Sequence, residues 1–466
     1  MKVSKENVRK ALDELRKALG KDKVLTEEED LYPYSITAMG PWKGMPDVVV
    51  NAHSTEDVAK VLEIADRLEV PVIPRGGGSS LTGAITPVMG GIIVDLSAMR
   101  KVRVSIEDGV AEAEAGATIA EVDGECRKHG FFLPPDPASL KAASVGGALS
   151  ICSGGMRGAR YGTMKEWVLR IETVLPGGRV VWFGEPLYKF RAGYDFVHLF
   201  VGSEGTLGVI TKAIFKIMPL PEKIVRILGE FDDMEKAGAA IAEVRRRGLN
   251  PLILELLDRA TVEAVKTVFD LDIPVREALV ISDVDGPRDA VERMAKDVMN
   301  TLEEFGAVKV DMSSDPEEMA RLYAARQGAF AAATRLYPMV VIEDITVPLS
   351  KLSEAIKRLG KIREKYDLKM IILGHAGDGN LHPIIGYDPE VPGEEERAFK
   401  AFEETCDIGI DLGGAVSGEH GIGLQKVEAL KREFKAHGGE PILDLMREVK
   451  KIFDPKGIMN PGKYGL

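Results

Sequence analysis

Two histidines stand close together in the segment Gly374-His-Ala-Gly-Asp-Gly-Asn-Leu-His382, and neutral imidazole is a common ligand for a divalent metal. The apolar runs Met370–Leu373 and Leu381–Gly386 flank the Gly-Asp-Gly-Asn turn, so the pattern predicts a hairpin with His375 and His382 near each other at its base. With seven histidines in the chain, a chance pairing is the alternative, and a third ligand would decide. Farther on, Ala415-Val-Ser-Gly-Glu-His-Gly-Ile-Gly423 sets Glu419 and His420 in a tight glycine-flanked loop. That is an odd place for a charged pair unless both are aimed at something. The other reading is a solvated helix start, where Glu is favoured by itself.

Glycine-rich segments form a second group. In Pro74-Arg-Gly-Gly-Gly-Ser-Ser-Leu-Thr-Gly83 three consecutive glycines let the backbone approach a ligand and turn N–H groups toward an anion. A pyrophosphate fits such a nest; a flexible turn is the alternative. The segment matches neither G-x-x-x-x-G-K-[ST] nor a G-x-G-x-x-G that opens a helix. Pro134-Pro-Asp-Pro137 is followed by Ala143-Ser-Val-Gly-Gly147, Ser153-Gly-Gly155 and Arg160-Tyr-Gly162. These combine fixed proline backbone with serine donors and close-approach glycines, or else form an exposed loop cluster. Ala192-Gly-Tyr-Asp195 leads into Phe200-Val-Gly-Ser-Glu-Gly-Thr-Leu-Gly-Val-Ile210, where glycines interrupt β-type residues and so point to a close backbone neighbour or a bound ring.

The elements that must position these residues follow from the hydrophobic pattern. Between Pro46 and Leu96 two apolar runs, Asp47–Val50 and Val70–Ile73, enclose a helix that begins at Ser54 with Glu56 and Asp57 in its first turn. A third run, Gly91–Asp95, follows the glycine loop and completes a β–α–β unit. Short β-like runs (Val110–Ala115, Val168–Leu175, Arg179–Phe183, Gly208–Ile217) then alternate with turns. Pro219-Leu-Pro221 breaks the pattern and places a domain boundary near 220. Beyond it the reading is a strand at Glu222–Asp232, a helix at Met234–Arg247, a strand at Leu252–Leu256, helices until the strand Glu277–Asp283, and a strand Lys369–His375. Residues after about Gly421 read as helical up to Ile452. Met1–Gly20 reads as an amphipathic cytosolic helix.

Composition bounds the function. The 466 residues suggest two to four domains at roughly 100–200 each. Lys+Arg of 61 against Asp+Glu of 73 gives a net charge of −12, which disfavours nucleic acid as a partner. Three cysteines, Cys126, Cys152 and Cys406, with no C-x-x-C pair, imply reduced thiols and make an iron–sulfur cluster bound wholly by this chain an unattractive reading. No apolar run approaches the ~18–20 residues of a membrane span.

Taken together, PRGGGSSLTGA, PPDPAS, ASVGG, AGYD, LFVGSEGTLGVIT and the terminal FDPKGIMNPGK resemble the FAD-linked oxidases of the vanillyl-alcohol oxidase superfamily, over nearly the whole chain. Within it the likeness is to the branch of D-lactate dehydrogenases, D-2-hydroxyglutarate dehydrogenases and glycolate oxidase flavin subunits. The resemblance implies an α+β protein. A two-part FAD-binding domain of that type would span 1–220, an α+β cap (substrate) domain with the metal site 221–420, and a C-terminal helical segment returning to the flavin 421–466. Carried over by position, Arg75, Gly76, Gly77, Gly78, Ser79, Ser80 and Gly83 would cradle the FAD pyrophosphate. Pro135, Asp136, Ser144, Gly146, Gly147, Tyr161 and Gly162 would line the cofactor. Glu204, Gly205, Gly208, Val209 and Ile210 would hold the adenosine side, with Asn460 near the flavin. Ser79 stands where covalent members carry a flavin-linking histidine, so noncovalent FAD is expected. Cys152-Ser153 replaces the Asn-Ala of many relatives, which puts any contact from that pair in question.

For the chemical residues the resemblance implies a divalent ion (zinc, manganese or iron) on His375, His382 and Glu419, with His420 as the base. Arg326, in Leu322-Tyr-Ala-Ala-Arg-Gln, corresponds to an arginine that clamps the substrate carboxylate; its planar fork suits that task, and a surface helix arginine is the alternative. Ile342 stands where dicarboxylate-oxidising relatives carry a lysine, which favours small monocarboxylates. The implied function is oxidation of a small D-2-hydroxy acid, of the D-lactate or glycolate type, by a cytoplasmic flavoprotein. Its electrons would pass to an iron–sulfur subunit, an electron-transferring flavoprotein or a quinone-linked complex, and a homo-oligomer is left open. The rivals are an ether-lipid-forming flavin transferase and a non-catalytic FAD-binding subunit of a redox complex.

Overall fold

A run of four apolar residues can be a strand buried on both faces, and Ile92–Asp95 is one. In the computed structural model, which describes residues 4–466, all four of its residues are buried between two parallel neighbours, Val48–Asn51 and Val72–Arg75. Val24–Leu25 pairs antiparallel with Val48–Asn51 and completes a four-stranded sheet. The connecting helix Thr55–Leu68 starts where Ser54 accepts a hydrogen bond from the Asp57 amide at 3.2 Å. Helix Lys5–Leu19 packs on it through Val8, Ala11 and Leu15, the helical spacing expected of an amphipathic stripe. The expected helix covered Met1–Gly20, of which the first three residues lie outside the described residues.

The second sheet is antiparallel and five-stranded, in the order Val102–Ser105, Val110–Glu114, Val209–Lys216, Val168–Leu175, Arg179–Gly184. Met218–Pro219 then pairs with Phe131–Phe132, and the chain leaves for the third sheet. That sheet has eight strands. Its main path runs Lys309–Ser313, Lys223–Phe231, Ala278–Gly286, Ile253–Asp258, Lys369–Gly374, Asn380–Tyr387, Met339–Ile342, with Ile345–Thr346 paired to Asn380–Tyr387. Helices Met234–Arg246, Arg288–Glu304 and Leu352–Tyr366 contribute to the large core on this sheet, while helices Arg259–Phe269 and Pro316–Leu336 share a separate cluster with residues of Ile253–Asp258, Lys369–Gly374 and Asn380–Tyr387. One helix, not several, therefore separates strands Ile253–Asp258 and Ala278–Gly286.

The helical stretch expected from about Gly421 to Ile452 consists of two helices, Val427–Ala436 and Ile442–Phe453. Gly438 lies between them at φ +72°, and Pro441 stands just before the second, so the first helix has a left-handed residue and a proline beyond its end. After Phe453 the chain crosses the molecule. The Val72 amide donates to the Ile458 carbonyl at 2.8 Å and the Asn460 amide to the Val72 carbonyl at 2.8 Å, adding Met459 to the edge of the first sheet.

Candidate functional site

The hairpin forms as its turn residues require. Strands Lys369–Gly374 and Asn380–Tyr387 pair with Leu373 opposite His382, and Gly379 closes the turn at φ +85°. A Cβ there would sit 2.1 Å from the Val347 carbonyl oxygen, so only glycine fits. His375 and His382 end with ring centroids 5.1 Å apart and planes at 84°.

The loop carrying Glu419 is held by Asp344. Its carboxylate accepts from the Ser417 hydroxyl at 2.7 Å, from the amides of Gly418 and Glu419 at 3.1 Å and of His420 at 2.8 Å, and from the Asn380 amide group at 2.9 Å. Successive backbone N–H groups converging on one anion make a nest. The result places Glu419 Oε1 3.2 Å from His375 Nε2 and 3.3 Å from His382 Nε2. His420 stacks on His382 with centroids 4.9 Å apart. Glu419 is thus aimed into the molecule at the two imidazoles and is no solvated helix start.

A carboxylate stands behind the first imidazole, with His375 Nδ1 2.9 Å from Glu255 Oε1, while Asp344 Oδ1 is 3.7 Å from His382 Nδ1, too far for a hydrogen bond. The carboxylate behind His375 fixes which nitrogen carries the proton and turns the other toward an ion. His382 is 3 % exposed, and neither ring nitrogen has a hydrogen-bond partner among the described residues. An orphaned buried imidazole fits a metal ligand, and two histidines with one carboxylate leave coordination positions open. His375, His382 and Glu419 bring one ligand atom each to within 4.8 Å of one another, and so do Asp344, His382 and His420.

The cluster is strongly polarised. Burial alone would push the His375 imidazole down, but Glu255 and Glu419 outweigh it and hold it well above its usual value. Burial opposes the Glu419 charge as well, yet His375 and His382 keep that carboxyl well below its usual range. For His420 burial prevails over the attraction of Asp344 and pushes the imidazole down to about 4. Its ring is therefore neutral near pH 7 and can accept a proton.

Arg326 lies on helix Pro316–Leu336 at 6 % exposure, which excludes a surface arginine. Its Nε donates to Glu255 Oε2, and its Nη2 is 3.4 Å from His375 Nδ1. Arg326, His375, His382, Glu419 and His420 all line a cavity of about 410 Å³, together with the apolar Phe330, Ile342, Leu373 and Ile384.

The same cavity is also lined by Arg75, Gly76, Gly77, Gly78, Ser79, Ser80, Ser144, Gly146, Gly147, Glu204, Gly205, Gly208, Val209, Ile210 and Asn460. A Cβ on Gly76 would lie 1.9 Å from Ser144 Oγ, and one on Gly77 1.7 Å from the Ala142 carbonyl oxygen. Ser144 Oγ accepts from the Gly77 and Gly147 amides and fixes the loop against helix Val145–Ile151. Arg75 Nη1 and Ser80 Oγ are buried donors with no partner among the described residues. Such a cradle, with unpartnered donors in it, fits a pyrophosphate.

Five residues expected at the cofactor do not line this cavity. Asp136 turns away to the Arg157 amide at 2.9 Å and the Arg157 guanidinium, and Pro135 is buried beside it; Pro137, Ala138 and Ser139 form the wall instead. Tyr161 packs edge-on against Phe132 and Trp167, with its hydroxyl 3.5 Å from Asp285. Gly162, at φ +72°, ends the short helix Gly158–Tyr161, and Gly83, at φ +74°, faces Trp42 and Leu424. Glu204 borders the cavity, but its carboxylate accepts from the Ile422 and Gly423 amides, so it braces the loop after His420. Sequence reasoning missed Glu255 and Asp344. The available signal was an acidic side chain inside an otherwise apolar run, alone in Leu252–Leu257 and next to Glu343 in Met339–Ile345.

Comparisons with known proteins show the family. Residues 46–184 match the model described as "FAD binding domain", and residues 220–464 that described as "FAD linked oxidases, C-terminal domain". The glycolate oxidase subunit GlcD of Bacillus subtilis (strain 168) is 35% identical over 432 residues, covering 92% of this chain and 91% of its own. A D-lactate dehydrogenase of Archaeoglobus fulgidus is 34% identical over 419 residues, covering 89% and 90%. Among solved structures, p-cresol methylhydroxylase with substrate bound superposes with a TM-score of 0.84 at 20% identity, covering 100% of this chain and 98% of that one, which shows a shared fold. The 4-ethylphenol oxidase of Gulosibacter chungangensis does so at 0.82 and 18%, covering 99% and 98%. With both family models matched in order along one chain, the protein belongs to the FAD-linked oxidase family.

Proposed function

We propose that this flavoenzyme oxidises a small D-2-hydroxy acid, of the D-lactate or glycolate type, to the 2-oxo acid, with a divalent metal and noncovalent FAD. The observation that carries the reading is the single cavity that joins the glycine nest at Arg75–Ser80 to Arg326 and the His375, His382, Glu419 and His420 cluster. The nest, with Ser144 behind it, would hold the FAD pyrophosphate, and FAD supplies a two-electron acceptor when bound. His375, His382 and Glu419 would hold the ion, zinc, manganese or iron, which supplies Lewis-acid polarisation of a hydroxyl.

This chain's own residues supply the rest. With Arg326 Nε committed to Glu255, the Nη1 and Nη2 edge is left to pair with the substrate carboxylate. His420, neutral because burial lowers it to about 4, takes the hydroxyl proton as the C2 hydrogen leaves. Phe330, Ile342, Leu373 and Ile384 exclude water and offer no partner to a second carboxylate, which disfavours D-2-hydroxyglutarate. Electrons would pass to a protein acceptor, either an iron–sulfur subunit, an electron-transferring flavoprotein or a quinone-linked complex; the Bacillus relative is itself named a subunit. No helix among the described residues is long and apolar enough to cross a membrane.

The test is anaerobic mixing of the metal-replete, FAD-loaded protein with D-lactate, L-lactate, glycolate and D-2-hydroxyglutarate while the oxidised flavin absorbance is followed. Bleaching by D-lactate or glycolate, lost after chelation, is the expected result. His420→Ala should keep its FAD yet bleach about 10²–10⁴-fold more slowly. Failure of all four acids to bleach the wild-type protein would overturn the reading.

A further inference from the structure

Glu255 lies on strand Ile253–Asp258, all six of whose residues are buried, and is itself 1 % exposed. A carboxylate at such a place costs more to desolvate than an apolar side chain of the same size, so its retention calls for a reason beyond the stability of the sheet. The reason lies in what its two oxygens touch. Oε1 is 2.9 Å from His375 Nδ1, and Oε2 accepts from Arg326 Nε. The two partners come from the hairpin strand edge and from helix Pro316–Leu336, which share an apolar cluster.

We propose that Glu255 is the positioning residue that couples the metal ligand to the substrate clamp. One carboxylate fixes His375 with Nδ1 protonated and Nε2 turned to Glu419, and orients Arg326 with its terminal nitrogens left for the substrate carboxylate. The inference rests on the metal-and-clamp reading above. It adds that ligand and clamp are set by a single side chain, so the distance between ion and carboxylate is fixed by the reach of one carboxyl group.

Chemistry supplies a discriminating substitution. A carboxylate accepts at both oxygens, whereas a glutamine accepts at one end and donates at the other. Arg326 Nε can only donate, so in Glu255→Gln the amide carbonyl must serve Arg326, and the NH₂ then faces His375 Nδ1. That nitrogen must become the acceptor, which moves the ring proton to Nε2, the nitrogen needed for the ion. Removing the guanidinium as well frees the carbonyl to turn back to His375.

The experiment is a competition titration of Zn²⁺ between a chromogenic chelator and the FAD-loaded protein, for wild type, Glu255→Gln, Arg326→Met and the double variant. Glu255→Gln is expected to weaken Zn²⁺ binding about 10–100-fold. The double variant is expected to return to the affinity of Arg326→Met. Unchanged affinity in Glu255→Gln, a double variant as weak as Glu255→Gln, or loss of FAD from Glu255→Gln would each overturn the inference, the last because Glu255 would then be holding up the fold. Wild-type protein that binds no Zn²⁺ would remove the metal reading and the inference together. Binding that follows the expected pattern while no 2-hydroxy acid reduces the flavin would leave the coupling standing and strike only the choice of substrate.

Discussion

Glu204 is 3 % exposed and accepts from the Ile422 and Gly423 amides, yet burial pushes its carboxyl up to about 7 against those donors. The fold therefore favours its protonated form. A carboxyl that titrates at 4.5 when free and at about 7 when folded contributes stability that is full below pH 4.5 and lost as the pH rises through 7, a difference of about 3 kcal/mol. Glu204→Gln imitates the protonated form, so its melting temperature should gain on wild type between about pH 5 and pH 8. Thermal unfolding across that range checks this, and parallel profiles for the two proteins would contradict it. At this scale the sequence is legible where partners are near in the chain. His375 and His382 share one segment, and Glu419 and His420 another, each flagged by glycines. Glu255 and Asp344 were not legible, because the groups they hold lie 120 and 76 residues away. Nothing in a strand's pattern says which far segment will meet it.

Among elements, the loop that follows strand Val72–Arg75 works only because it has no side chains at two positions. Gly77→Ala would drive a Cβ to 1.7 Å from the Ala142 carbonyl oxygen, a backbone atom that cannot swing aside. Overpacking of this kind costs about 1–3 kcal/mol, which corresponds to roughly a tenfold to hundredfold loss of FAD affinity if the loop yields instead of the fold. Fluorescence titration of the flavin measures it; unchanged affinity would mean the loop does not cradle the cofactor. The strands of the first sheet were readable because strands covered on both faces become short apolar runs. The break at Gly438 and Pro441 was written in the sequence too, but an apolar pattern on both sides of it masked the stop. Tyr161 and Gly162, expected at the cofactor, lie outside the cavity lining, where Tyr161 packs against Phe132 and Trp167 and Gly162 ends a short helix.

On the scale of the whole molecule, the FAD-binding domain and the C-terminal domain must stay in register for one cavity to draw residues from both. Arg160, on the first half, pairs with Asp285 of strand Ala278–Gly286, whose side chain is 3 % exposed. Arg160 itself is partly open to solvent, so Arg160→Met should cost about 2 kcal/mol, less than a fully buried pair. Urea unfolding would register the loss, and an unmoved midpoint would show that the apolar contacts alone hold the halves together. The far end of the chain also spans this junction. Asn460 Nδ2 donates to the Ala84 carbonyl 376 residues away, and Lys463 Nζ to the Thr86 carbonyl 377 residues away. During synthesis the β–α–β unit precedes by hundreds of residues the segment through which Asn460 gives the cavity a wall. A nascent chain can thus hold most of its sheets without holding its cofactor, and flavin loading waits on the segment that carries Asn460.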